Sequence, residues 1–244
     1  MPDTTEPAGA EPDASEPDAS EPDASAPADV GVGPWQGPWP DDPRYDPELL
    51  AGGDRRNVVD RYRYWRLEAV VADLDARRHP FHVAIENWAH DLNIGTVVRT
   101  ANAFLAREVH VVGRRRWNRR GAMVTDRYQH VRHHPDVEAL LAYAREQGLT
   151  VVGVDNLPGA VPLETTDLPR QALLLFGQEG PGLSEPARQA AHVVVSIAQY
   201  GSTRSINAGV AAGIAMHAWV RRWADLPAGH RAADPLPPRP DGPR

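Results

Sequence analysis

A chain of 244 residues with 41% hydrophobic residues is long enough to bury one full α/β core, and it holds no apolar run near the ~20 residues that span a bilayer. Cysteine is absent, which excludes disulfides, thiolate metal sites and a cysteine nucleophile, and leaves the chemistry to oxygen and nitrogen groups. The net charge of -7 is unevenly spread: residues 1–30 carry nine Asp or Glu and no basic residue, so the remainder is mildly basic, with arginine as its fixed cation.

In chain order, residues 1–29 repeat the pentad EPDAS three times and are poor in aromatic and branched apolar side chains. Such a segment buries too little surface to offset its ordering entropy, so a disordered acidic tail is expected. The segment also lacks the charged and apolar regions of a secretory signal, which makes the cytoplasm the expected address. Residues 30–80 read as an N-terminal extension, with a Pro/Gly/Trp tract that pins Trp35 and Trp39 onto the domain and a helix over 58–77. From 81 to 225 apolar runs alternate with helical patterns, the mark of a mainly parallel sheet flanked by helices. Strands are predicted at 81–86, 108–112, 150–154, 172–176 and 192–197, and helices at 95–104, 137–147, 185–191 and from 206 to about 222. Residues 226–244 are Pro-rich and read as a flexible C-terminal tail.

The final helix is predicted to be capped by Ser205, and its small residues, among them Gly209 and Gly213, imply close approach by other backbone or a ligand. Between the second and third predicted strands lies a dense group, Arg114, Arg115, Arg116, Arg119, Arg120, Arg127 and Arg132, interleaved with Trp117, Tyr128 and His130. Guanidinium forks match phosphate oxygens and aromatic faces stack on bases, so this is a candidate RNA surface; a solvated arginine-rich face is the plainer alternative.

Three blocks place small or polar residues where a buried strand ends, the position at which open α/β sheets bind ligands. The first, residues 87–104, turns through Asn93 and Gly95 into a helix that carries Arg99 in an apolar stretch, where a cation needs either an ion-pair partner or a ligand. The second, LLLFGQEGPGL at 173–183, opens an apolar strand into a loop whose Gly177, Gly180 and Gly182 let backbone amides approach a ligand; it has neither a P-loop nor a GxGxxG order. The third, SIAQYGSTRSINAG at 196–209, runs from strand through polar loop to helix. Taken singly, these blocks also fit a structural ion pair, an ordinary Gly-rich connection and a capped helix start.

Together they resemble, in order and spacing, the three motifs of the SpoU/TrmH branch of the SPOUT methyltransferases: Asn93-x-Gly95-x-x-x-Arg99, Phe176-Gly177-x-Glu179-x-x-Gly182-Leu183, and Ile197 through Ser205-Ile206-Asn207. Ala198-Gln199 stands where the family often has Pro-Met, and Ile206 where Leu is usual. The resemblance implies a C-terminal deep trefoil knot, an exception to unknotted topology, S-adenosyl-L-methionine held near Phe176, Gly177, Gly182, Ile197, Ser205 and Ile206, and no metal. It also implies a homodimer that 2'-O-methylates RNA, with Arg99 facing the target ribose and Asn93, Glu179, Ser205 and Asn207 completing a polar floor. In that chemistry the ribose oxygen attacks the sulfonium methyl in line. Arginine is too weak an acid for a simple general base, so Arg99 reads as an orienting and alkoxide-stabilising group. The stretch 127–155 resembles relatives that modify tRNA, which favours tRNA slightly over rRNA. A knotted RNA-binding protein without catalysis is the main alternative, and a Rossmann oxidoreductase is the second, for which the glycine fingerprint is missing.

Overall fold

A computed structural model describes residues 31–88 and 93–226. The predicted acidic tail at 1–29 and nearly all of the C-terminal tail lie outside the described residues. The chain divides into two compact units, 1–65 and 66–244.

In the first unit, helix α1 (Pro47–Gly52) begins with Pro at its start and with Asp46 accepting from the Glu48 amide, a good N-terminal arrangement because both satisfy or avoid free N–H groups. Trp35 packs edge-on against Tyr45 and Tyr64, with ring centroids 5.9 and 5.3 Å apart. Trp39, expected to be pinned beside it, is instead exposed. The buried Asp54 carboxylate receives Arg56 and the Tyr64 amide, so its charge is paired. The long helix predicted over 58–77 is broken: only a 3-10 turn at Asp60–Tyr62 forms before α2 (Leu67–Asp75), because Tyr64 takes a left-handed backbone (φ 62°).

The second unit is a seven-stranded, wholly parallel sheet. Its strands are β1 (His82–Asn87), β2 (Val109–Gly113), β3 (Val131–His134), β4 (Thr150–Val154), β5 (Val161–Pro162), β6 (Ala172–Phe176) and β7 (Val193–Ser196), in the order β3-β2-β1-β6-β4-β7-β5. The helices are α3 (Ile94–Ala103), α4 (Val137–Glu146), α5 (Glu185–Ala190) and α6 (Ala208–Trp223). Alternate side chains of each strand face opposite ways, so the apolar strands feed two cores. Val83, Ile85, Leu174 and Phe176 meet α3 and α6, whereas Ala84, Leu173 and Leu175 meet α4 and α5. The fold class is thus α/β with helices on both faces. Among the described residues no helix is long and apolar enough to cross a membrane.

Three details of this unit differ from the sequence reading. Strands β3 and β5 were not predicted: the residues of β3, Val131, Arg132, His133 and His134, sit in the arginine-rich segment, and β5 has only two residues. Gly95 lies inside the first turn of α3 and not in a turn before it: a Cβ there would stand 2.6 Å from the backbone of Gly121 and Ala122, so Gly95 lets the arginine-rich segment dock on α3. Helix α6 begins at Ala208 and is capped by Asn207, whose Oδ1 accepts from the amides of Gly209 and Val210 at 2.9 and 3.2 Å; Ser205 precedes it in the loop. Of the two glycines of α6, Gly209 is the more closely approached, a Cβ there lying 3.1 Å from the Thr96 side chain of α3.

Candidate active site

The C-terminal ends of β4, β6 and β7 open on one cavity of about 240 Å³, where the parallel sheet leaves strand ends uncovered. Phe176, Gly177, Gly182, Ile197, Ser205 and Ile206, the expected cofactor residues, all line it, together with Glu179 and Asn207. Its floor and sides are apolar where Val154, Phe176, Ile197 and Ile206 stand and polar where the loops meet.

Asn207 organises the polar side. Because its Oδ1 is committed to the start of α6, its Nδ2 must face outward, and it donates to Asn93 Oδ1 at 2.8 Å. That fixes the Asn93 amide in turn. Asn93 occupies the position before α3 but makes no capping bond with its side chain, donating instead to Glu179 Oε2 at 2.7 Å; Asn207 Nδ2 lies 3.5 Å from the same oxygen. One residue from each of the three sequence blocks therefore meets in a single hydrogen-bonded group. Ser205 is exposed at the cavity.

Arg99 lies on the exposed face of α3 and outside the cavity lining, so its apolar sequence neighbours did not bury it. Val97, Val98 and Ala101 turn inward while Arg99 turns out, and among the described residues it has no hydrogen bond or ion pair. The structural ion pair considered above is absent from the described residues.

The glycine loop after β6 is built differently from expectation. A Cβ on Gly177 would stand 2.0 Å from the Gly182 carbonyl carbon and 2.1 Å from the Leu183 nitrogen, so the loop's own backbone occupies the space that a ligand was expected to need. The loop closes on itself through paired Gln178 and Gly182 backbone bonds of 3.1 and 3.0 Å. Gly182 has φ +72°, and a Cβ there would meet Asp155 Oδ2 at 2.4 Å.

Sequence reasoning missed Asp155, which follows β4. Its Oδ2 accepts from the Leu183 amide and its Oδ1 from the Asn156 amide, at 2.8 and 2.7 Å. Asn156 then donates to the Arg204 carbonyl at 2.7 Å, which ties the glycine loop and the β7–α6 loop to the end of one strand. The signal was an acidic residue at the end of an apolar strand. Glu86 on β1 was also missed: buried, it accepts from the Trp88 indole and the Ser184 amide.

The second group of titratable residues lies on the other face, under α4. His82 Nδ1 is 2.9 Å from His110 Nε2, and His110 Nδ1 is 3.0 Å from His134 Nε2, an imidazole row across β1, β2 and β3. His82, Glu108 and His110 bring ligand-type atoms together, but Glu108 Oε2 already accepts from Tyr143 and Arg132, at 2.9 and 3.1 Å, so the group is saturated by hydrogen bonds. Burial holds all three imidazoles below the usual histidine range, His82 at about 4. A folded-state value below the unfolded one means that stability is complete above about pH 6.5 and is lost as pH falls toward 4, because the unfolded chain takes up protons that the fold refuses. The thermal unfolding temperature is therefore expected to drop between pH 7 and pH 5 in the native protein, and to drop less in His82→Gln. Equal drops in both would assign the acid sensitivity elsewhere.

Residues 80–217 match the model of the SpoU rRNA Methylase family. An uncharacterized tRNA/rRNA methyltransferase of Mycolicibacterium vanbaalenii is 31% identical over 186 residues, 71% of this chain and 58% of that protein. The tRNA (guanosine(18)-2'-O)-methyltransferase of Escherichia coli K12 is 27% identical over 153 residues, 61% of this chain and 67% of that protein. The matched region thus spans less than two thirds of the first relative's length. Among solved structures, the SpoU methyltransferase AviRb of Streptomyces viridochromogenes in complex with the cofactor AdoMet is 25% identical with a TM-score of 0.55, covering 62% of this chain and 60% of that one. With more than half of its length matched, and with one residue of each of the three motifs meeting in a single hydrogen-bonded group, this chain belongs to the SpoU rRNA methylase family.

Proposed function

We propose that this protein transfers a methyl group from S-adenosyl-L-methionine to a ribose 2'-hydroxyl of RNA, with tRNA favoured over rRNA. The observation that carries this is the Asn93–Glu179–Asn207 group at the mouth of a cavity lined by all six expected cofactor residues. The cavity fits the cofactor chemically, because apolar walls at Val154, Phe176 and Ile206 suit a flat base and polar loop groups suit the charged end. Bound there, the cofactor supplies an activated methyl group and leaves as a neutral thioether.

The protein's own work is alignment and proton handling. Phe176, Ile197 and Ile206 hold the base side, and the loop backbone around Gly177 and Gly182 bounds the methyl-donor side. Arg99, free of protein partners among the described residues, orients the 2'-hydroxyl and stabilises the alkoxide that develops on it. Asn93 and Asn207 fix the Glu179 carboxylate at Oε2, leaving Oε1 to take the proton. Ser205 completes the polar floor.

A knotted C-terminal path is supported by the way Asp155 and Asn156 bind the 177–183 and 198–206 loops together before α6 packs on α3. A homodimer is supported by the exposed apolar ridge of Ile206, Val210 and Ile214 on and before α6. Incubating the protein with tritiated cofactor and bulk RNA, then mapping 2'-O-methyl sites, tests the activity; no label in any RNA refutes it.

The RNA surface is assigned to the segment between β2 and β3. Asn87 holds its start by donating to the carbonyls of Arg114 and Arg116, at 2.8 and 3.0 Å. Further along, two successive non-glycine residues, Met123 and Val124, take left-handed backbone (φ 48° and 67°) while exposed, strain of the kind that persists at functional loops. Neutralising Arg115, Arg116, Arg119 and Arg120 together is expected to raise the apparent KM for RNA and to flatten its salt dependence, since fewer counterions are released. An unaltered salt slope would place the RNA elsewhere.

A further inference from the structure

Buried polar side chains are almost always hydrogen-bonded, so an orphan in a cavity wall points to what the cavity binds. Among the described residues three buried side-chain atoms have no hydrogen-bond partner: Arg63 Nε, Asn102 Oδ1 and Gln199 Oε1. Only Gln199 lines the cavity. The backbone just before it is pinned, because the Ala198 amide donates to Glu164 Oε1 at 2.9 Å. This is also where the chain departs from its family resemblance, with an amide in place of the usual thioether.

We propose that Gln199 reads the adenine edge of the methyl donor, its Oε1 accepting from the 6-amino group and its Nε2 donating to the neighbouring ring nitrogen. The proposal rests on the reading of the cavity as the S-adenosylmethionine site. An unpaired amide oxygen requires a donor, and the cofactor offers three: the amino acid ammonium, the ribose hydroxyls and the adenine amino group. Ammonium and hydroxyls suit the polar side of the cavity, at Asn156 on the β4 end and Gln178 on the glycine loop. Gln199 instead shares its loop with Ile197 and Ile206, the apolar residues suited to a purine face. A carboxamide carries an acceptor and a donor side by side, the complement of adenine's 6-amino group and N1, and in the orientation that sets Oε1 against the 6-position it mismatches a 6-oxopurine, whose O6 and N1–H reverse both.

The test is calorimetric binding of S-adenosylhomocysteine and of its 6-oxo analogue, S-inosylhomocysteine, to the native protein and to Gln199→Met, a change of similar size that restores the usual family residue. Native protein is expected to prefer the adenine compound by about tenfold or more, as a good paired contact to a base edge does. The Met variant is expected to lose most of that preference while its unliganded melting temperature holds or rises, because an unsatisfied buried amide has been removed. A variant that keeps the native preference ratio, whatever its absolute affinity, overturns the proposal, as does equal weakening of both ligands with a lowered melting temperature, which would mark a structural role. Native protein that binds neither compound overturns the cofactor reading itself, and the two failures are thereby told apart.

Discussion

Arg99→Ala is expected to leave S-adenosylmethionine affinity nearly unchanged and to lower turnover by about a hundredfold or more, the scale lost when a charge-stabilising donor is removed from a transition state. The expectation follows from three observations: Arg99 stands outside the cavity lining, it is exposed on α3, and it has no protein partner among the described residues. A guanidinium in that position contributes little to the fold, so the loss should appear in chemistry and not in melting temperature. Arg99→Lys should rescue only part of the rate, because a point charge lacks the planar fork that engages two oxygens at once. Calorimetry for cofactor binding and single-turnover methyl transfer for chemistry separate the two effects. Native turnover in Arg99→Ala on the true RNA would remove its catalytic role and favour a knotted RNA-binding protein whose motifs persist without catalysis.

How much of this was legible beforehand depended on whether local pattern or tertiary context decided each element. Strands β4 and β6 match their predicted bounds because Thr150–Val154 and Ala172–Phe176 are continuous apolar runs between turn residues, the signature of a strand buried on both faces. Strand β3 was hidden because its burial is that of a histidine: His134 is buried by pairing with His110, a long-range contact that no window of sequence carries. The helix predicted over 58–77 failed on the left-handed Tyr64, which its aromatic packing in the first unit holds. At the site, the convergence of Asn93, Glu179 and Asn207 followed from the motifs, whereas Asp155 did not, since its importance lies in the two amides it receives from loops distant in the chain. Arg99 was read from its apolar neighbours as a cation that needs an ion-pair partner or a ligand, and helical periodicity turns it away from Val98 and Ala101 to the exposed face.

Gly177 carries the other large effect, and its physical cause makes the prediction sharper. If this glycine served only to leave room for a ligand, a methyl group would be a modest intrusion and Gly177→Ala would bind the cofactor more weakly by a small factor. The geometry demands more: the Cβ of alanine would fall 2.0 Å from one backbone atom and 2.1 Å from another, far inside the 3.0 Å below which something must shift. Neither neighbour can give way cheaply, since Gly182 is held by two bonds to Gln178 and Leu183 by the Asp155 carboxylate. The loop must therefore open, and with it goes one wall of the cavity. Gly177→Ala and Gly177→Val are both expected to reduce S-adenosylmethionine affinity by at least about a hundredfold, with alanine nearly as damaging as valine. Strand β6, buried on both faces before the loop begins, should keep the fold, so the melting temperature is expected to fall by a few degrees without loss of the cooperative transition. Calorimetric titration of the three proteins decides it. Native affinity in Gly177→Ala would mean that the loop relaxes freely and that its closed form is not what binds the cofactor.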